Sequence, residues 1–295
     1  MVSARASIQH LREDCKLSLD FPLFDAWINM VPKRPEYGNM DVSYLFPDLA
    51  ERYQTGRTTE QIVEEMDTAG IDMAVLAAGY DRAHDDTAWT LDAMAKYPDR
   101  FVGSLVVDPH AGMKGVKELE LRVTQDGFKM ARIMAFHTLI PYTDARCYPL
   151  YAKCAELGVP ISINVGVPGP LVPAAQMQDP IQLDQICHFF PELTVIMAHG
   201  GEPWSELCVK LMLKWKNLYY MSSAFAPKHI PKPVVHYMNT RGADKIMFAS
   251  DYPLVGLDRC SREIEAMEFR DEERRRKFGR DNARRVILGE QVPPR

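Results

Sequence analysis

The sequence predicts a single α/β domain folded as a (β/α)8 barrel of the TIM type, and three observations predict it. Short apolar runs, too brief for helices, alternate about eight times with longer segments of helical periodicity. That is the pattern of buried parallel strands joined by crossover helices. The chain has 295 residues, 46% of them hydrophobic, which suits one large core of this kind. No Gly-x-Gly-x-x-Gly follows the first apolar run, and this argues against a doubly wound dinucleotide-binding sheet.

A polar N-terminal extension is expected over residues 1–20, with the barrel domain occupying 21–295. The first strand is expected at 22–29 (PLFDAWIN). Strict alternation would put Asp25, Trp27 and Asn29 on one face and Phe24, Ala26 and Ile28 on the other. A long segment with Pro, Tyr and Gly follows to about residue 57, too long for an ordinary turn and a candidate lid. Thr58 or Thr59 should cap the next helix, with Gly70 just past its end.

From there strands are expected at 73–78, 101–107, 129–135, 160–165, 193–198 and 218–223. The matching helices fall at 86–97, 114–123, 147–157, 181–190, 204–213 and 231–239. The eighth strand lies within 245–253, KIMFASDYP, where Pro253 stops it. Helices at 262–269 and 272–288 finish the chain.

Charge and composition narrow the function. With 35 basic and 40 acidic residues, net charge -5, nothing favours nucleic acid or an acidic membrane as partner. The basic run at 274–277 sits among acids and reads as a solvated helix face. No stretch has the length of about twenty apolar residues that a membrane span needs, and the N-terminus lacks the apolar core of a signal peptide. The six cysteines form no Cys-x-x-Cys pair and read as reduced thiols of a cytoplasmic protein.

Strand ends in a parallel barrel meet at one mouth, where chemistry is done. They carry acids, histidines, an arginine and amides there: Asp25, Asp108, Asp251, His110, His137, His199, Arg132, Asn29, Asn164, Trp27, Ser222 and Ser223. His199 follows the apolar run TVIMA and precedes Gly200-Gly201, which would let a loop or ligand pass close. Asp251 ends a buried run, so it must be solvated, paired or metal-bound. Arg132 interrupts an apolar strand and needs a buried anion, either a substrate carboxylate or an internal Asp. Trp27 reads equally as a barrel plug and as a wall on which substrate stacks.

The pattern DAWIN, CYPLYAKCAELGVPISINVG, FFPELTVIMAHGG, KIMFASDYP and DNARRVI resembles the amidohydrolase-related family. That family includes aminocarboxymuconate semialdehyde decarboxylases, aromatic-acid decarboxylases and pyrone-dicarboxylate lactonase. The resemblance implies a metal-binding His-x-His pair on the first strand and a third histidine on the fifth. This chain has Trp27, Asn29 and Asn164 in those places, and none of its 8 histidines forms a His-x-His pair. His199 matches a catalytic acid/base of the decarboxylases, and Asp251 matches the acid that binds metal or activates water.

Three readings follow. The first is a metal-independent hydrolase of a lactone or ester, with Asp251 as general base and His199 or Arg132 stabilising charge. Trp27, Asn29, Arg132, Asn164 and His137 would then contact the substrate. The second is a decarboxylase using His199 as acid/base, and the third is a binding protein without turnover. No tight transition metal is expected; at most a hard divalent cation would be held weakly at Asp251 through oxygens. The expected partner is a small-molecule substrate, and the resemblance implies a homodimer.

Overall fold

The computed structural model describes residues 19–33, 42–81 and 85–291. Its eight strands are β1 Leu23–Ile28, β2 Ile71–Ala78, β3 Phe101–Val106, β4 Met130–Ile133, β5 Ile161–Asn164, β6 Val195–Ala198, β7 Leu218–Met221 and β8 Ile246–Met247. They pair in sequence order, every pair parallel. Helices alternate with them, so the structure is the (β/α)8 barrel expected, in one domain. The expected extension lies outside the described residues except for 19 and 20.

Local chemistry sets the helix ends. Thr58 accepts from the Gln61 N–H while Gln61 accepts from the Thr58 N–H, a capping box on helix Thr59–Thr68. Gly158, in left-handed conformation, ends helix Tyr148–Leu157 as only glycine does without strain. Two expectations shift. The segment after β1 contains a helix, Leu49–Thr55, where a loop was expected. The helix after β8 runs Leu257–Ala266, a turn earlier than 262–269. Its buried stripe is Leu257, Cys260, Ser261 and Ile264, and two small polarisable residues in that stripe weaken the apolar signal.

Two layers of core result. Between strands and helices lies the larger one; inside the barrel, Phe24, Ala26, Val75, Ala77, Met130, Ile196, Ala198, Met247 and Ala249 pack together. Ala283 and Ile287, from helix Asn282–Leu288, join this inner cluster. That helix closes the end of the barrel where the strands begin, and Asn282 Nδ2 ties it to the carbonyls of Ala243 and Ile246.

The seam between β8 and β1 is irregular. β8 keeps ladder pairing for two residues only. Beyond it, Phe248 N–H donates to Phe278 O, Ala249 N–H to Ser222 Oγ and Ser250 N–H to Asp25 Oδ1. The barrel closes through Ala26 N–H to Phe248 O, Asp251 N–H to Trp27 O and Asn29 N–H to Tyr252 O. β1 itself slips register between Asp25 and Ile28. This overturns the expected alternation: Phe24, Ala26 and Trp27 all join the inner cluster. Asp25 instead lies fully buried in the seam.

Candidate active site

A cavity of about 610 Å3 opens at the C-terminal ends of the strands. Its walls are largely aromatic and apolar, including Phe46, Tyr53, Tyr80, Met134, Phe136 and Phe225, with Trp27, Asn29, His199 and Asp251 supplying most of its polar chemistry. The segment after β1 roofs it through Val42, Tyr44, Leu45 and Phe46, and Tyr44 Oη donates to Gly169 O on the loop after β5. A lid role for this segment, expected from its length, fits that placement; residues 34–41 lie outside the described residues. Tyr80 is held in the wall because Asp86 accepts the N–H groups of Gly79, Tyr80 and Asp81, a support that the sequence reading missed.

Five described non-glycine residues have positive φ, and three of them, His199 (68°), Ala224 (66°) and Asp251 (57°), line this cavity. Each such residue costs about 1–2 kcal/mol, so the strain is concentrated where the polar side chains are aimed. Gly200 and Gly201 allow the close approach expected of them, and the groups that approach are protein. A Cβ on Gly200 would stand 2.4 Å from the Phe225 ring, and one on Gly201 would stand 2.5 Å from Cys208 Sγ. Phe225, on the loop after β7, is the group that passes close to Gly200.

His199 is held on both ring nitrogens. Nε2 is 3.0 Å from Arg132 Nη2, and Nδ1 is 3.0 Å from Ser223 Oγ and 3.3 Å from Ser223 O. A guanidinium can only donate, so Nε2 must accept and the ring proton belongs on Nδ1. Burial, outweighing the attraction of Asp251 and aided by the charge of Arg132, pushes the imidazole down to about 4. The side chain is 22% exposed, through the cavity. His199 is therefore neutral at pH 7.

Arg132 is wholly buried beneath the cavity. Its Nε donates to Asn164 Oδ1 at 2.9 Å, Nη2 reaches His199, and the guanidinium carbon lies 3.9 Å from the centre of the Trp27 ring. Two charge-assisted bonds at roughly 1.5–3 kcal/mol each and a desolvated cation–π contact of about 2 kcal/mol match a desolvation penalty of several kcal/mol. Burial lowers its pKa to about 10, so the charge persists at pH 7. Of the two anions expected beside it, an internal Asp makes no direct contact among the described residues: its contacts are an amide, an imidazole and an indole face, and Asp251 acts on it through space. Nη1 and Asn164 Nδ2 are buried without partners among the described residues.

Asp251 is 5% exposed. Its Oδ1 accepts from Asn29 Nδ2 at 2.9 Å, and Oδ2 stands 3.6 Å from His199 Nδ1. Asn29 Nδ2 also donates to Tyr252 O at 2.9 Å; an atom between two acceptors must be the nitrogen. Asp25, expected at the mouth, instead accepts the N–H groups of Trp27 and Ser250 on Oδ1. Burial raises it to about 7.

The other expected residues separate from this group. His137 packs on Tyr80 and Phe136 and lines a smaller neighbouring cavity with Asp108 and His110. Asp108 Oδ1 accepts from both the backbone and Nδ1 of His110. Ser222 bonds the backbone of Ala249 in both directions. Neither Arg132 nor Asn164 lines the main cavity; both lie under it.

The strand-end residues do not fit a divalent metal. Asn164 Oδ1 is turned to Arg132, Asn29 presents its N–H groups, and an indole cannot ligate. The weak oxygen site expected from Asn29, Asn164 and Asp251 is not assembled. Among the described residues no group of three or more His, Cys, Asp or Glu is placed to hold a metal ion. No described helix is long and apolar enough to cross a membrane. The five described cysteines are free and buried.

Comparisons place this geometry among known proteins. An uncharacterized TIM-barrel protein from Bordetella bronchiseptica superposes with a TM-score of 0.73 at 21% identity, covering 91% of this chain and 99% of the other. The 2,6-dihydroxybenzoate decarboxylase from Rhizobium gives 0.68 at 19%, covering 91% and 99%. A dihydroxybenzoic acid decarboxylase from Polaromonas, solved with bound manganese and the inhibitor 2-nitroresorcinol, gives 0.68 at 18%, covering 92% and 98%. At these identities the likeness speaks for the fold. A family model described as amidohydrolase matches residues 24–287, nearly the whole barrel, and the chain belongs to that family.

Proposed function

We propose that this amidohydrolase-family chain is a metal-independent hydrolase cleaving a lactone or ester bond in a small aromatic or carboxylated substrate. The observation that carries the reading is the contrast between the two polar groups on the cavity floor. Asp251 is anchored on one oxygen by Asn29, while Oδ2 is beyond hydrogen-bond range of His199. His199 is neutral, with its lone pair engaged by Arg132. A base is available and an imidazolium acid is not.

In this mechanism Asp251 Oδ2 takes a proton from water as the water oxygen adds to the substrate carbonyl carbon. Negative charge develops on the carbonyl oxygen, and the buried Arg132 charge stabilises it through a low-dielectric interior. Collapse breaks the bond to the leaving oxygen, which takes the proton back from Asp251. An ester or lactone suits the site better than an amide, whose leaving group is harder to expel. The aromatic walls favour a planar substrate, and a homodimer is the proposed assembly.

Decarboxylation of an aromatic acid is the second reading. It is favoured by the same aromatic cavity and by the reactions named for the Rhizobium and Polaromonas proteins. Against it, the proton donor assigned to His199 is missing at neutral pH.

The test is turnover of aryl ester, lactone and aromatic-acid panels by wild type, Asp251→Asn and His199→Ala. Asparagine tolerates left-handed backbone, so Asp251→Asn is a mild change for the fold. Ester or lactone hydrolysis should fall about 10²–10⁴-fold in Asp251→Asn. Hydrolysis unchanged within twofold would remove Asp251 as the base. Carbon dioxide release from an aromatic acid, lost in His199→Ala, would transfer the assignment to decarboxylation.

A further inference from the structure

We propose that Arg132 is the built-in cation of this site: its guanidinium occupies the centre of the strand-end group, fixes His199 as the neutral Nδ1–H form, and keeps a divalent metal out. The argument starts from what surrounds it. A metal held where the strand ends converge would need acceptors there, and Asn164 Oδ1 and His199 Nε2 are two of them. The guanidinium engages both, at 2.9 and 3.0 Å. Its remaining face is covered by Trp27 at 3.9 Å, a π-surface that attracts a cation and gives no lone pair to a metal. The carboxylate beside them, Asp251, has one oxygen tied to Asn29. A second cation would have to enter a low-dielectric space next to a positive charge that persists at pH 7.

Arg132 is a positioning residue in this account, because it lies below the cavity and reaches the substrate space only through His199 and Trp27. Its grip on Nε2 directs the ring proton to Nδ1 and Ser223. The proposal rests on the metal-independent reading of the site. Its test reads the imidazole and the metal content and not turnover, so the two ideas can fail separately.

The experiment follows ¹⁵N-histidine spectra against pH, with the His199 signal assigned by its loss in His199→Gln, together with equilibrium dialysis against Mn²⁺. Full-length wild type, Arg132→Met and Arg132→Lys are compared. Wild type should show the Nδ1–H tautomer unchanged from about pH 5 to 8 and hold far less than one equivalent of Mn²⁺. Arg132→Met removes the charge at similar length and should raise the His199 pKa by about one unit, tenfold in proton affinity. Arg132→Lys should keep it low. An Nε2–H tautomer in wild type, or one equivalent of Mn²⁺ bound with Arg132 in place, would overturn the proposal. So would a folded Arg132→Met protein with unchanged His199 titration. If Arg132→Met does not fold, the wild-type tautomer and metal content decide.

Discussion

The arc from β2 to β7 and the seam joining β8 to β1 are built on different terms. Along the arc each strand meets the next through a regular parallel ladder, for example Ala74 to Ala78 against Phe101 to Leu105. At the seam, side chains replace backbone partners: Ser222 and Asp25 accept N–H groups that a neighbouring strand would otherwise take. The seam also carries Trp27, Asn29 and Asp251, three of the polar or aromatic groups on the cavity floor. Regular pairing fixes where side chains point by alternation alone, and broken pairing frees consecutive residues to face the same space. The difference teaches that the barrel gives up ladder hydrogen bonds at the place where it aims its chemistry.

The largest stability effect should come from Asp25. Asp25→Ala leaves two buried N–H groups without acceptors and should cost about 2–4 kcal/mol in urea unfolding, whereas Asp25→Asn keeps the Oδ1 acceptor and should cost less than about 1 kcal/mol. Equal losses from the two variants would mean that the seam does not depend on this acceptor.

Next comes pH. Folding raises Asp25 from 3.8 to about 7, so its contribution is full below 3.8 and is lost as pH rises to 7. Folding lowers His199 from 6.5 to about 4, so its contribution is full above 6.5 and is lost as pH falls to 4. The two slopes oppose between those values, and wild-type stability should be nearly flat there. Asp25→Asn should uncover a stability that rises with pH across this window; a profile parallel to wild type would refute the assignment of Asp25.

The smallest effect belongs to the arc. Ser104 in β3 is buried, and its Oγ has no partner among the described residues, so Ser104→Ala should change stability by no more than about 0.5 kcal/mol. A loss as large as that of Asp25→Ala would erase the contrast between the two regions.

Much of the arc was legible because its strands are apolar runs bounded by turn residues, as with VIMA before His199 or ISIN at β5. His199 and Asp251 could be picked out as polar residues directly after such runs. The seam was not legible: the slip in β1 depends on Asp25 bonding Ser250, 225 residues away, and no local pattern encodes that. Arg132 stood out as a charge in a buried strand, but its partners come from β1, β5 and the end of β6. An indole and two neutral acceptors stand in the contacts where an internal Asp was one of the two anions expected. His137 was expected as a substrate contact at a strand end, with a weaker case than His199. A short helix, Ala135–Thr138, turns it into the neighbouring cavity.

The seam also bears on how the molecule is made. Asn29 and its partner Asp251 are 222 residues apart in the chain, so β1 waits for that length of chain to be made before its second neighbour exists. At about 5–20 residues per second, that interval is roughly ten to forty seconds. The helix Asn282–Leu288 that stoppers the interior emerges later still. Until β8 is made, the outer edge of β1 has no strand to pair with. The candidate site is assembled across that joint, so it cannot form before both ends of the barrel domain have been made.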